Sequence, residues 1–162
     1  MSVAKSVATI TEREVFAAAL CVDAVWRGDS SHLDGAKDRL LQDGWPRALG
    51  VLLVANKQLL GFLERGGHIT QTPRSLIDLS ASINVWLPPI FQIPGDAAID
   101  AIQMVANPFS QLAQQHLSQH AEEVLLDWIF LFSGLVCHCA EMMNHDPYTV
   151  LMKTLSAVDG LP

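Results

Sequence analysis

The sequence predicts an all-α protein: a single globular bundle of seven to eight helices around a largely buried C-terminal central helix. Three observations carry this expectation. Cap residues precede proline at Thr72-Pro73, Asn107-Pro108 and Asp146-Pro147, and proline suits a first helical turn because its missing N–H would be unpaired there anyway. Apolar residues recur at helical spacing, and no period-two pattern bounded by turn residues persists. The stretch 124–136 is almost wholly apolar, as expected of a helix covered on most sides.

The elements follow in order. Residues 1–10 are expected to be a flexible lead. Thr11 and Glu14 form a capping box that opens a helix to about Arg27. Phe16, Leu20 and Ala24, flanked by Val15, Ala19 and Val22, are expected to face the core. Gly28-Asp29-Ser30 ends this helix, and Ser31 is expected to cap a short one that stops at Gly44, with Leu33, Ala36, Leu40 and Leu41 inward.

Trp45-Pro46 begins a third helix, apolar nearly all round, that Gly66-Gly67 terminates. Such a helix belongs near the centre. Thr72-Pro73 opens a fourth to about Leu87, Asp96 caps a fifth to about Ala106, Asn107-Pro108 opens a sixth, and Asp146-Pro147 opens the last, to about Val158. A single helix over 108–145 would be about 57 Å long, wider than a domain of this size. A break near Ser118 or a kink at Ser133-Gly134 is therefore expected.

Length and charge bound the function. The chain of 162 residues fits one domain, 1–162, large enough to fold without disulfides or metal. Residues 1–74 carry nine Lys/Arg and eight Asp/Glu, whereas residues 75–162 carry Lys153 alone against nine acids. So acidic a half repels phosphates, which argues against nucleic acid and against anionic membrane. Half of the residues are hydrophobic and 17% are charged, a composition that points to a large core or to a homodimer interface.

The apolar stretch 15–25 reads as a core helix rather than a signal segment, because Glu12 and Glu14 stand where positive charge is wanted. The run 124–137 holds Asp127 and is shorter than the roughly 20 residues of a membrane span. Three cysteines, two of them at 137 and 139, make no disulfide framework. A cytoplasmic, reducing setting is the expectation.

Two groups of residues stand out as candidate sites. The first is a stripe: His116, His120, Glu123 and Asp127 in 4-3-4 spacing, echoed by Gly134, His138, Glu141 and His145. Histidines four apart on a helix can meet one ion, and Glu three residues on can complete the set. His120 and His138 lie about 27 Å apart on a straight helix, so the stripe makes two sets rather than one. A polar strip along a buried helix has the same pattern. Cys137-His138-Cys139 resembles a metal tripeptide only on paper, since its sulfurs diverge on a helix.

The second candidate is the loop from Trp86 to Pro94, whose Trp86, Leu87, Ile90, Phe91 and Ile93 are too apolar for an ordinary connection. It is either a crossover packed on the bundle or a rigid binding arm. The four tryptophans, Trp26, Trp45, Trp86 and Trp128, are spread over separate elements and read as core anchors, and Tyr148 reads as a packing residue. No P-loop, GxGxxG, HExxH or GxSxG motif occurs. The chain therefore reads as a non-catalytic binding module, homodimeric, for a protein partner or a small apolar ligand. The alternative is a small helical protein binding a transition metal or haem through the stripe, with or without catalysis.

Overall fold

The computed structural model describes residues 9–70 and 72–160. Among them are eight α-helices and no strand: α1 (Glu12–Arg27), α2 (Ser30–Leu40), α3 (Trp45–Arg65), α4 (Pro73–Val85), α5 (Gly95–Ala106), α6 (Gln111–Gln119), α7 (Ala121–Met143) and α8 (Pro147–Val158). Short 3-10 turns lie at Leu41–Asp43 and Pro89–Phe91. Of the lead expected to be flexible, residues 1–8 lie outside the described residues; Ile10 is buried, and its carbonyl accepts from Gly160 N at 2.8 Å.

Helix α7 is the hub. It packs against α1, α3, α4, α5, α6 and α8, and Leu125, Trp128, Ile129, Leu131, Phe132 and Leu135 are all fully covered. At 23 residues it is long and apolar enough to cross a membrane, so shortness is no argument against a span. Its burial is the better argument: 72% of its most apolar window is covered by the rest of the chain.

The caps show which local signals prevailed. Thr11 and Glu14 form the capping box, with Glu14 N donating to Thr11 Oγ1 at 3.2 Å and Thr11 N to Glu14 Oε1 at 3.0 Å. Gly28, at φ 68°, turns the chain sharply out of α1. Asp29 rather than Ser31 then caps α2, accepting from His32 N at 3.0 Å, and α2 ends at Leu40, with Gly44 following the 3-10 turn. Thr72 and Asp146 cap α4 and α8 as the sequence indicates.

Three other expectations are corrected. Helix α4 stops at Val85, short of Leu87. Helix α5 starts at Gly95 after Pro94, and Asp96 sits in its first turn without a capping bond. Asn107-Pro108 belongs to a turn, and Ser110 caps α6 by accepting from Ala113 N at 3.1 Å. The long C-terminal helical stretch breaks at His120, two residues beyond Ser118, and α7 runs unbroken through Ser133-Gly134. There a Cβ on Gly134 would lie 2.1 Å from Ile83 Cγ2, so the glycine is what lets α4 reach α7.

The buried face of α1 also differs from expectation. Phe16 is 58% exposed, whereas Glu14 is fully covered. Arg47 of α3 explains the inversion: its Nε donates to Glu14 Oε2 at 3.0 Å and its Nη2 to Glu14 Oε1. Burial pushes the Glu14 carboxyl upward, but bonds from Arg47 and Thr11 outweigh it and hold the group below its ordinary value. A paired carboxylate thus sits in the core, and Phe16, about 200° further round the helix, faces outward.

Asn56, also fully buried, ties the two central helices together. Its Nδ2 donates to Leu52 O at 2.9 Å and to Trp128 O at 3.1 Å, while its Oδ1 has no partner among the described residues.

Candidate functional site

An apolar cleft of about 420 Å³ opens where α3, the 107–110 turn, α6 and the start of α7 meet. Trp45, Leu49 and Leu53 of α3 form one wall, and Phe109 and Leu117 form the other. Small residues, Gly50 and Ala121, leave the space between them open, and Trp128 closes the floor. Phe109 is 84% exposed, held out by the turn that follows Pro108.

No charged side chain lines the cleft. Two of its polar side-chain groups are already engaged: Gln114 Nε2 donates to Pro108 O at 2.7 Å and Ser118 Oγ to Gln115 O at 2.9 Å. Nothing there resembles an activated nucleophile or a general base. The volume falls within the range of small-molecule pockets, and the aromatic lining suits a neutral apolar guest. A Cβ built on Gly50 meets no atom within 4 Å, so the cleft has room directly above the α3 backbone.

On the other side of α6 lies a smaller cavity of about 150 Å³. His116 from α6, His120 from the helix break, Glu123 and Asp127 from α7, and Asp100 from α5 line it, and no Lys or Arg does. The imidazoles of His116 and His120 lie with ring centroids 5.9 Å apart. Burial, reinforced by the charge of Glu123, pushes the Asp127 carboxyl up to about 6. The first half of the stripe thus comes together, joined by Asp100, which the sequence did not indicate. Among the described residues, no three His, Cys, Asp or Glu side chains are arranged to hold a metal ion.

The second half of the stripe does not form one site. Gly134 is packed against Ile83, and Glu141 and His145 are exposed. His138 lines a separate surface groove with His68, Arg74 and Asp78. Burial, together with the neighbouring His68, lowers its imidazole against the opposing pull of Glu141. The three cysteines are buried and free, and burial pushes Cys21 and Cys139 up to about 12 and Cys137 to about 11. These are inert thiols in the core rather than ligands or nucleophiles.

The apolar loop divides between its two readings. Leu87, Phe91 and Ile93 are buried, so these three are core and not the binding residues expected of them. Phe91 stacks on Phe130 with centroids 5.2 Å apart. Asn84 clamps the loop, accepting from Ile93 N at 2.9 Å and donating to Ile93 O at 2.6 Å. Trp86 and Ile90 remain exposed beside Val85. Tyr148 packs edge-on against Trp26 and donates to Asp23 Oδ1 at 2.9 Å, a surface packing role.

The sequence reading missed the cleft because its walls come from four separate segments. Its one local signal was Phe109, a large aromatic in a turn where a polar residue would be usual. No protein-family model, curated protein or solved structure matches this chain.

Proposed function

We propose that the protein is a non-catalytic binding module that takes a small, neutral, apolar ligand in the cleft between α3 and α6. One observation carries this: a cleft of about 420 Å³ with aromatic walls and no charged residue in its lining. The engaged state of Gln114 and Ser118 supports binding over catalysis and favours an occupant with few polar groups.

The test uses the open space at Gly50. A Cβ there meets no atom within 4 Å, Gly50 lines the cleft, and leucine is a better helix former than glycine. The expected result is that the wild type binds a neutral apolar fluorophore such as N-phenylnaphthylamine, whereas Gly50→Leu is at least as stable and binds it at least tenfold more weakly. Equal binding by both proteins overturns the assignment.

A second reading, self-association, has its own support. Ile77, Ala81 and Val85 stand four apart on the outer face of α4, and all are exposed. Val85 is 77% and Ile90 67% exposed, and Trp86 lies between them in the chain. We take this face as the site of a homodimer. Light scattering after size exclusion tests it: the wild type elutes as a dimer and Val85→Asp/Ile90→Asp as a monomer. A monomeric wild type at tens of micromolar refutes it. A cytoplasmic setting, in which the buried thiols stay reduced, fits both readings.

A further inference from the structure

The apolar cleft holds a hydrogen-bond donor with no partner. Of its lining side chains, Trp45, Gln114, Ser118 and Trp128 carry an N–H or O–H group. Gln114 and Ser118 donate to backbone carbonyls of their own segment, and Trp128 Nε1 donates to Ala101 O at 3.3 Å. Trp26, elsewhere in the fold, likewise spends its indole N–H on Ser133 O at 3.2 Å. Trp45 is the exception. It is half-buried in the α3 wall, and its Nε1 donates to no group among the described residues.

The backbone presents this indole from a fixed point. Gly44 precedes Trp45 at φ 95°, and Pro46 follows it in the first turn of α3. Beside it on the same wall, Leu49, Gly50 and Leu53 offer no polar side-chain atom. An indole N–H so placed takes water or an atom of the ligand. A hydrocarbon that fills the cleft displaces the water and strands the donor, which is the costly case for a polar group. A ligand oxygen instead replaces the water.

We propose that the ligand of this cleft is a neutral apolar molecule carrying a carbonyl-type oxygen, and that Trp45 selects for it through its indole N–H. The inference rests on the cleft reading above and adds its ligand class. The oxygen belongs to a ketone, ester or amide rather than to a carboxylate, because no charged side chain lines the cleft to balance an anion.

Two measurements on the full chain test this. The first compares fluorene with 9-fluorenone as competitors of N-phenylnaphthylamine; the two share a ring skeleton and differ by a methylene against a carbonyl. The wild type should prefer the ketone. Trp45→Phe, which keeps an aromatic ring and lacks the N–H, should lose at least about threefold of that preference, the factor that one net hydrogen bond of ordinary strength confers. The second is the nitrogen–proton correlation spectrum of the wild-type tryptophan side chains, which depends on no variant. The Trp45 indole proton should move downfield with 9-fluorenone and not with fluorene, while that of Trp26 stays in place with both.

A Trp45→Phe variant that keeps the full preference for the ketone assigns it to another donor, such as the second N–H of Gln114, and overturns the role of Trp45. So does a Trp45 resonance that responds alike to both ligands. Tighter binding of fluorene-9-carboxylate than of 9-fluorenone overturns the neutral class. If the two rings bind equally and Gly50→Leu weakens both, the cleft assignment stands and the selection by Trp45 falls. If neither ring nor fluorophore binds, the cleft assignment falls and takes its ligand class with it.

Discussion

Replacing Gly134 with alanine should destabilise the fold by about 2 kcal/mol, although alanine is the better helix former. The new Cβ would stand 2.1 Å from Ile83 Cγ2, 3.0 Å from Ile83 O and 3.2 Å from Ile83 Cβ. Carbon pairs rest about 3.5–4.0 Å apart, so Ile83 must retreat by about 1.4 Å or more. Rotating the side chain does not suffice, because the backbone carbonyl and the Cβ of Ile83 are also too close and a β-branched residue in a helix is stiff at χ1. Helix α4 must shift as a body. Overpacking of this kind costs about 1–3 kcal/mol, and a clash this deep belongs at or above the top of that range. The gain from replacing a helical glycine is about 1 kcal/mol. The net loss of about 2 kcal/mol corresponds to a fall in Tm of about 4–8 °C for a chain of this length. Urea and thermal melts followed by far-UV circular dichroism measure it. The double variant Gly134→Ala/Ile83→Ala should lose at least about 1 kcal/mol less than the sum of the two single variants, because removing Cγ2 relieves the worst contact. If Gly134→Ala instead stabilises the protein by about 1 kcal/mol, as helix propensity alone would have it, α4 does not meet α7 at this point.

Three further outcomes follow from the buried ionisable groups. Asp127→Asn should stabilise the protein at neutral pH by about 1–2 kcal/mol and leave it unchanged near pH 3, read from urea midpoints against pH. The sign follows from the shift: with a folded value of about 6 against 3.8 for the free group, the native state binds more protons, so Asp127 lowers stability as pH rises through that window. Arg47→Met should cost about 3 kcal/mol at neutral pH, because it strands a carboxylate in the core, and less in acid, where Glu14 is protonated. In the wild type the lowered Glu14 value means that its contribution is present above the ordinary carboxylate range and is lost as pH falls through the folded value, the opposite dependence to Asp127. Native protein at pH 8 should react with a thiol reagent such as Ellman's only as fast as it unfolds, with Cys21, Cys137 and Cys139 all titrating at once in denaturant. A rapidly reacting thiol in the native state would contradict their burial.

Much of the fold was legible because it depends on neighbours in the chain. Thr11 with Glu14, Thr72 with Pro73, and Asp146 with Pro147 mark helix starts through hydrogen bonds that span two or three residues. The same logic failed where two cap residues compete within a few positions. Asp29 prevailed over Ser31, and Ser110 over Asn107. In each case the losing residue has the right chemistry, and its rival stands at the N-cap. The split of the His/Glu stripe was legible from helical rise, whereas the arrival of Asp100 beside His116 and Asp127 was not.

By itself the sequence determined that this chain is all-helical and that α7 lies at its centre, because caps, proline positions and the apolar run of α7 act locally or through sheer lack of polarity. It also determined that the stripe makes two sets. Tertiary structure alone decided which polar groups are buried and which apolar ones are not. Glu14 is covered where Arg47, 33 residues away, reaches it, while Phe16 stays exposed. Gly134 is a contact and not a kink because Ile83 presses on it. The cleft exists because Trp45, Phe109 and Leu117, far apart in the chain, are brought face to face. Each of these depends on which helix lies against which, and a periodicity along one helix carries no information about its neighbour.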